Sequence, residues 1–236
     1  MKDNSEAEES DNLNIERTSL DIEDISNGMI EALKNPSNMK EQYQVLEQDV
    51  NKLLNQAYEN PVITSQDIAT LQRIHYGMSF VQKMASKESY EIPLAVGNDI
   101  TNVNVTVVRN TGETGKVSIH MESDILGKVS AGITVKEQGI NALITCDNRS
   151  GLDTIKQNSQ EFVQAVNQTG IEIQQLNYGI GNQKEDSYRY TNYNPDNENQ
   201  KQSNSDNKGV NTDTLYSLAK TFLVHIKEIE VNLKNA

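Results

Sequence analysis

One cysteine, no tryptophan, four prolines and three phenylalanines in 236 residues set the first limits. A lone thiol, Cys146, excludes a disulfide framework within the chain and a cysteine-built metal centre. Apolar residues make up 35% of the chain, against about 45–50% in compact domains. The core must therefore be concentrated in some segments while others stay solvated. Basic residues are also scarce, at 21 Lys and Arg against 34 Asp and Glu, a formal charge of -13. Without clustered bases, binding driven by nucleic-acid phosphates is excluded, and anionic membranes are disfavoured by the same sign. No apolar run approaches the ~20 residues of a membrane span. Met1 to Asp11 is acidic, with neither a basic nor an apolar stretch, so a secretory signal is not read there. The expected location is cytoplasmic, and export by a route without a cleaved signal stays open.

What is present is strong periodicity. Residues 1–17 are acidic and expected to be disordered, because Leu13 and Ile15 alone cannot offset the ordering entropy. A helical region of three helices is expected over 18–89. Leu20, Ile25, Met29 and Leu33 have helical spacing, and Pro36 is read as the stop. Met39, Tyr43, Leu46, Val50, Leu53 and Ala57 form a second seam. A third carries Leu71, Ile74, Met78, Val81 and Ala85 behind the capping signal Thr64-x-x-Asp67. Short connections favour antiparallel packing of such helices.

From Tyr90 the period falls to two. Val103, Val105 and Val107 form one alternating row, and Val117, Ile119 and Met121 a second. Val129, Ala131, Ile133 and Val135 form a third, and Ile140, Ala142, Ile144 and Cys146 a fourth. Helical spacing returns over about Leu152 to Gln168, with Gly170 placed as its cap, and a last strand covers Ile171 to Tyr178. The order β-β-β-β-α-β over 90–181 predicts an α+β domain, an antiparallel sheet with a covering helix. Residues 182–213 read as a disordered polar linker. Residues 214–236 read as an amphipathic helix with Leu215, Leu218, Phe222, Ile226, Ile229 and Leu233 on one stripe. That stripe must be buried, either on the seams of residues 38–86 or on a partner.

Catalytic chemistry is not legible. Thr114-Gly-Lys-Val-Ser118 lacks the spacing and the following helix of a phosphate loop, and reads as a hairpin turn. His75, His120 and His225 lie on three segments without a ligand-spaced partner. Cys146 shares the inward face of its strand and reads as a buried small hydrophobe. The acid runs Glu6 to Asp11 and Asp21 to Asp24 lack the spacing of a calcium loop. Tyr188, Tyr190 and Tyr193 border the linker as a sticky edge or a docking motif. No catalytic residue, metal ligand or cofactor is expected.

Ser123-Asp-Ile-Leu-Gly-Lys-Val-Ser-Ala-Gly-Ile-Thr-Val135 resembles the signature of the C-terminal domain of flagellar hook-length control proteins. In that family a Leu-Gly-x-Val turn leads into an alternating strand, then a second strand, a helix and a Gly-led last strand. Leu126-Gly-Lys-Val129 fits the turn, Gly139 to Cys146 the second strand and Arg149 to Gln168 the helix. Thr169-Gly170-Ile171-Glu-Ile173 fits the last element. The order covers about residues 90–180 and is similar to uncharacterised clostridial proteins with this domain. Ser123 and Asp124 stand where the family usually has a proline. A long Pro/Gln-rich N-terminal region is replaced by helical residues, which places the weight on docking and switching rather than length measurement. The resemblance implies a non-enzymatic flagellar assembly protein that controls hook length or export specificity by binding the cytoplasmic export apparatus. Ile125, Leu126, Gly127 and Val129 would shape the contact, with Leu215, Phe222 and Ile226 of the terminal helix as a second one. The alternative is a non-flagellar scaffold or regulator reusing the domain, with self-association through its helices.

Overall fold

A computed structural model describes residues 21–60, 62–109, 114–136, 139–168, 170–181 and 211–235. The segments expected to be disordered, 1–17 and most of 182–213, lie outside the described residues, as do Tyr188, Tyr190 and Tyr193. Three helices open the fold: α1 (Ile22–Ala32), α2 (Pro36–Glu59) and α3 (Ser65–Ala85). Pro36 does not stop α1. It starts α2 behind the Asn35 cap, at the first-turn position where its missing N–H leaves nothing unpaired. The Thr64–Asp67 signal forms a full capping box on α3.

The sheet has six strands in sequence order: β1 (Ser89–Val96), β2 (Asp99–Arg109), β3 (Thr114–Ser123), β4 (Gly127–Lys136), β5 (Gly139–Cys146) and β6 (Ile173–Ile180). β1 to β5 form an antiparallel meander. Two short helices, α4 (Arg149–Gln157) and α5 (Ser159–Asn167), carry the chain back over the sheet, so β6 joins β5 in parallel. A helical crossover is the connection that parallel neighbours require. The α+β class agrees with the sequence reading, with one antiparallel strand more, a parallel last strand and a covering helix broken at Asn158. That break has a local cause, since the Asn158 and Ser159 side chains bond back to the carbonyls of Thr154 and Lys156.

Alternation along each strand stacks the inner face into cross-strand rows. Ile92, Val103, Met121, Val129 and Cys146 form one, and Tyr90, Val105, Ile119, Ala131 and Ile144 the next. All ten are buried. α6 (Thr212–Lys234) lies across this face over β1, β2 and β3, and against α1 and α5. Gly115 on β3 admits it closely, because a Cβ there would stand 2.7 Å from Leu215 Cδ1. Phe222 meets Phe162 of α5 edge-on, and the Tyr90 hydroxyl bonds Tyr216, whose hydroxyl donates to Glu88. The terminal helix is thus part of the same core as the sheet.

β1 is an edge, and its open backbone groups are covered by helices. The Tyr43 hydroxyl accepts the Glu91 N–H at 3.0 Å and donates to the Glu91 carbonyl at 2.8 Å. The Ser26 hydroxyl accepts the Ala95 N–H. Alternation points position 93 the same way, and Pro93 has no N–H to satisfy. An edge closed in this way offers no template for pairing with another strand. Burial pushes the Tyr43 phenol well above its ordinary pKa, so it stays protonated in this role.

Candidate functional site

The Leu-Gly signature forms the β3–β4 turn, with Ser123 and Gly127 as the closing pair. Ser123 is buried, and its hydroxyl accepts the N–H groups of both Ile125 and Leu126 at 3.1 Å. One buried hydroxyl thus caps two amides of the turn. Leu126 turns into the core, and its carbonyl accepts from Asn148 Nδ2 at 2.9 Å and from the Cys146 thiol at 3.0 Å. Gly127 has φ +79°, in the left-handed region that only glycine enters freely. A Cβ there would also meet Asn148 Nδ2 at 2.2 Å. The Lys128 N–H reaches Asp147 Oδ1, and Asn148 caps α4 through the Gly151 N–H at 2.7 Å. The turn is therefore clamped from behind by the β5–α4 junction, while Ile125 at its apex is 38% exposed.

Each sequence-predicted site residue has a clear place. Ile125 is on the surface. Leu126 and Val129 are buried and hold the turn to the core, and Gly127 supplies its backbone geometry. Leu215, Phe222 and Ile226 correct the expectation of a free second contact, because all three are fully buried on the inner sheet face. Their stripe is satisfied within the chain. They lie apart from the turn, which α6 approaches only with its last turns.

Two neighbours escaped the sequence reading. Ile100, at the start of β2, is exposed and lines a small cleft with Ile125. Asp99, Glu122, Asp124, Glu230 and Lys234 supply its charged lining. Lys234 bonds Asp99 and the Val96 carbonyl, tying the end of α6 to the β1–β2 turn. Glu230 is 2% exposed, and its Oε1 is among the few buried polar atoms of the described residues without a hydrogen-bond partner. The pairing of β1 with β2 and the depth of α6 create this arrangement, and neither is visible as a local motif.

Burial raises the Glu230 carboxyl above the usual carboxylate range, against the lowering effects of Ser123 and Lys234. Asp124 and Asp99 push it further up. A raised folded-state pKa favours the protonated form. Its stabilising contribution is complete below the unfolded value and is lost as pH rises through the folded one. Glu230→Gln removes the charge while keeping the side chain's shape, and is therefore expected to stabilise the chain at pH 7. The gain should vanish near pH 4. Urea unfolding of both proteins at the two pH values checks this, and equal stabilities at pH 7 would overturn it.

The remaining polar groups do not converge on the turn. His120 bonds Ser130 on the outer sheet face, and His225 is buried against Phe162. Burial raises the Cys146 thiol, which makes it a poor nucleophile. Among the described residues no group of three or more His, Cys, Asp or Glu is placed to hold a metal ion. No helix among them is long and apolar enough to cross a membrane.

No curated protein and no solved structure matches the chain. A family model described as the flagellar hook-length control protein FliK does match, over residues 102–187. The match begins in β2 and takes in the clamped turn, the crossover helices and β6. The central part of this chain is thus similar to a domain of the flagellar hook-length control family.

Proposed function

We propose that the chain acts in flagellar assembly by docking on the cytoplasmic face of the export apparatus, and that the β3–β4 turn is the contact. The observation that carries this reading is the clamped turn itself. The side chains of Ser123, Cys146, Asp147 and Asn148 hold the backbone of residues 125, 126 and 128. That network leaves one apolar side chain, Ile125, facing outward. A pre-organised loop loses little entropy on binding and needs no catalytic group. Ile125 and Ile100 stand beside Asp99, Glu122 and Asp124, which suits a partner segment with an apolar anchor flanked by bases. Binding in the cytoplasm would then switch the class of exported substrate.

Ile125→Asp tests the reading without disturbing the core. The variant is expected to keep its melting temperature and to bind the cytoplasmic part of the export apparatus at least ~10-fold more weakly, as loss of a central anchor would give. Full-chain protein that fails to bind any export-apparatus component would sink the proposal. So would a variant that binds unchanged. The second reading, a scaffold outside the flagellum, is favoured by apolar side chains left exposed on the α2–α3 hairpin. A genomic neighbourhood without flagellar genes would support it.

A further inference from the structure

The α2–α3 hairpin shows where a second surface lies, and it is independent of the β3–β4 turn. Its lower half is anchored: Met39, Tyr43, Met78 and Ala85 enter the common core with Leu46 and Val81 against them, while the remainder packs helix on helix. Two hydrogen bonds run along one edge of the hairpin, Gln72 to Tyr58 at 2.6 Å and Gln82 to Glu47 at 2.7 Å. Gln72, Tyr76 and Phe80 follow each other at four-residue steps and so form one ridge beside that edge. Tyr58, Tyr76 and Phe80 are 56%, 74% and 66% exposed. At the tip, Val62 is 83% exposed and Ile63 is exposed as well. At the base, the same pair of helices opens into a groove of about 570 Å³ lined in part by Pro36, Lys40, Tyr43, Lys83 and Ala85. Single exposed apolar residues need no explanation, but a line of large ones running from tip to groove does.

We propose that this edge is a homodimer interface, in which two hairpins pack antiparallel as a four-helix bundle and the tip of each copy sits in the base groove of the other. Three observations select a second copy as the occupant. Charge comes first: residues 36–85 hold four bases and five acids, a formal -1 within a chain of -13. This stretch can meet its own copy without the repulsion that the rest of the chain would impose. The geometry is also self-complementary, since an apolar tip and a groove lie at opposite ends of one edge, as a two-fold isologous contact requires. Size agrees too. Helices of 24 and 21 residues make a side roughly 30 Å long and about 20 Å wide. That is roughly 600 Å² per copy, close to the ~800 Å² of a standard interface. Two-helix hairpins bury their remaining apolar stripe most simply by pairing into such bundles.

Sedimentation velocity on the full chain at 1–100 µM tests the proposal. A species of twice 26.4 kDa is expected, and Tyr76→Glu with Phe80→Glu should weaken its association at least ~100-fold. Both side chains are solvent-exposed, so circular dichroism should show the double variant folded. Val62→Cys paired with Ser86→Cys should form a disulfide between copies under oxidation, because the tip of one copy then meets the groove of the other. A chain that is monomeric at 100 µM overturns the proposal, whether the edge stays bare or takes a different protein. A dimer that the double variant leaves intact also overturns it.

Discussion

Ending the chain at residue 210 is expected to abolish the cooperative unfolding transition of everything that remains. The deletion removes α6, on which Leu215, Leu218, Phe222, Leu223 and Ile226 are fully buried and Ile229 is nearly so. At ~1.5–3 kcal/mol for each buried aliphatic or aromatic side chain, these six contribute roughly 9–18 kcal/mol. That figure is an upper bound, because an unfolded chain already shields some apolar surface. Even so, it matches or exceeds the roughly 5–15 kcal/mol net stability of a whole domain. The loss is not confined to the helix. Its removal bares Val105, Ile119 and their row neighbours on the sheet, and takes from the Tyr90 hydroxyl its Tyr216 partner. The truncated protein should therefore show a broad melt by calorimetry, and adding a peptide of residues 211–235 should restore a transition. A truncation that keeps a sharp melt within ~10 °C of the full chain would show that α6 is an appendage. Phe222→Ala alone should cost about 3–5 kcal/mol through the cavity it leaves between sheet and α5.

This dependence bears on the domain layout. Composition divides the chain at the acidic start, the helical region and the linker, yet α1, the sheet, α4, α5 and α6 share one hydrophobic core. The family match stops short of α1, β1 and α6. In this chain the segments flanking the matched domain provide the cover for its inner face. A pattern reading finds the stripe on α6 but not its target, because amphipathicity states only that something must be covered. The width of the stripe says more than its central seam does. Tyr216, Ala219 and Leu223 are buried beside the residues of that narrow seam. A broad stripe points to a helix sandwiched between a sheet and other helices.

The same physics explains the other gains and misses. Strands β2 to β5 were legible because one face is apolar and the other polar, so their alternation is strict. β1 escaped because Leu94, Ala95 and Val96 are buried in succession. α1 lies against that strand, so both of its sides are covered and the period of two disappears. Pro93 fits within β1 because that strand is an edge. In the turn, Leu126 and Gly127 could be assigned to core and backbone geometry from their types alone. Their clamp could not, because Asn148 and Gly151 lie more than twenty residues along the chain. Ile100 and Glu230 joined the site only through strand pairing and helix depth.

Gly151→Ala should test that clamp through a reversal of sign. In an exposed helix position, replacing glycine by alanine stabilises by about 0.5–1 kcal/mol. Gly77 of α3 serves as that control, because a Cβ added there would have nothing within 4 Å. At Gly151 the added Cβ would stand 2.1 Å from the Leu126 carbonyl oxygen and 3.0 Å from Cys146 Sγ. The first neighbour is backbone, fixed by two hydrogen bonds and by Leu126 in the core, so it cannot swing aside. Either α4 shifts outward or the turn is pushed off its clamp. Overpacking of this kind costs about 1–3 kcal/mol, and a lost hydrogen bond from Asn148 or Cys146 to that carbonyl adds about 1 kcal/mol more. Urea unfolding should place Gly151→Ala about 2–4 kcal/mol below the parent and Gly77→Ala at or above it. Amide resonances of Ile125, Leu126 and Lys128 should move in the first variant and stay in place in the second. Binding through Ile125 should weaken with the first alone, because the apex side chain keeps its chemistry but loses its fixed position. A stabilised Gly151→Ala chain with unmoved turn resonances would mean that the β5–α4 junction does not hold the turn.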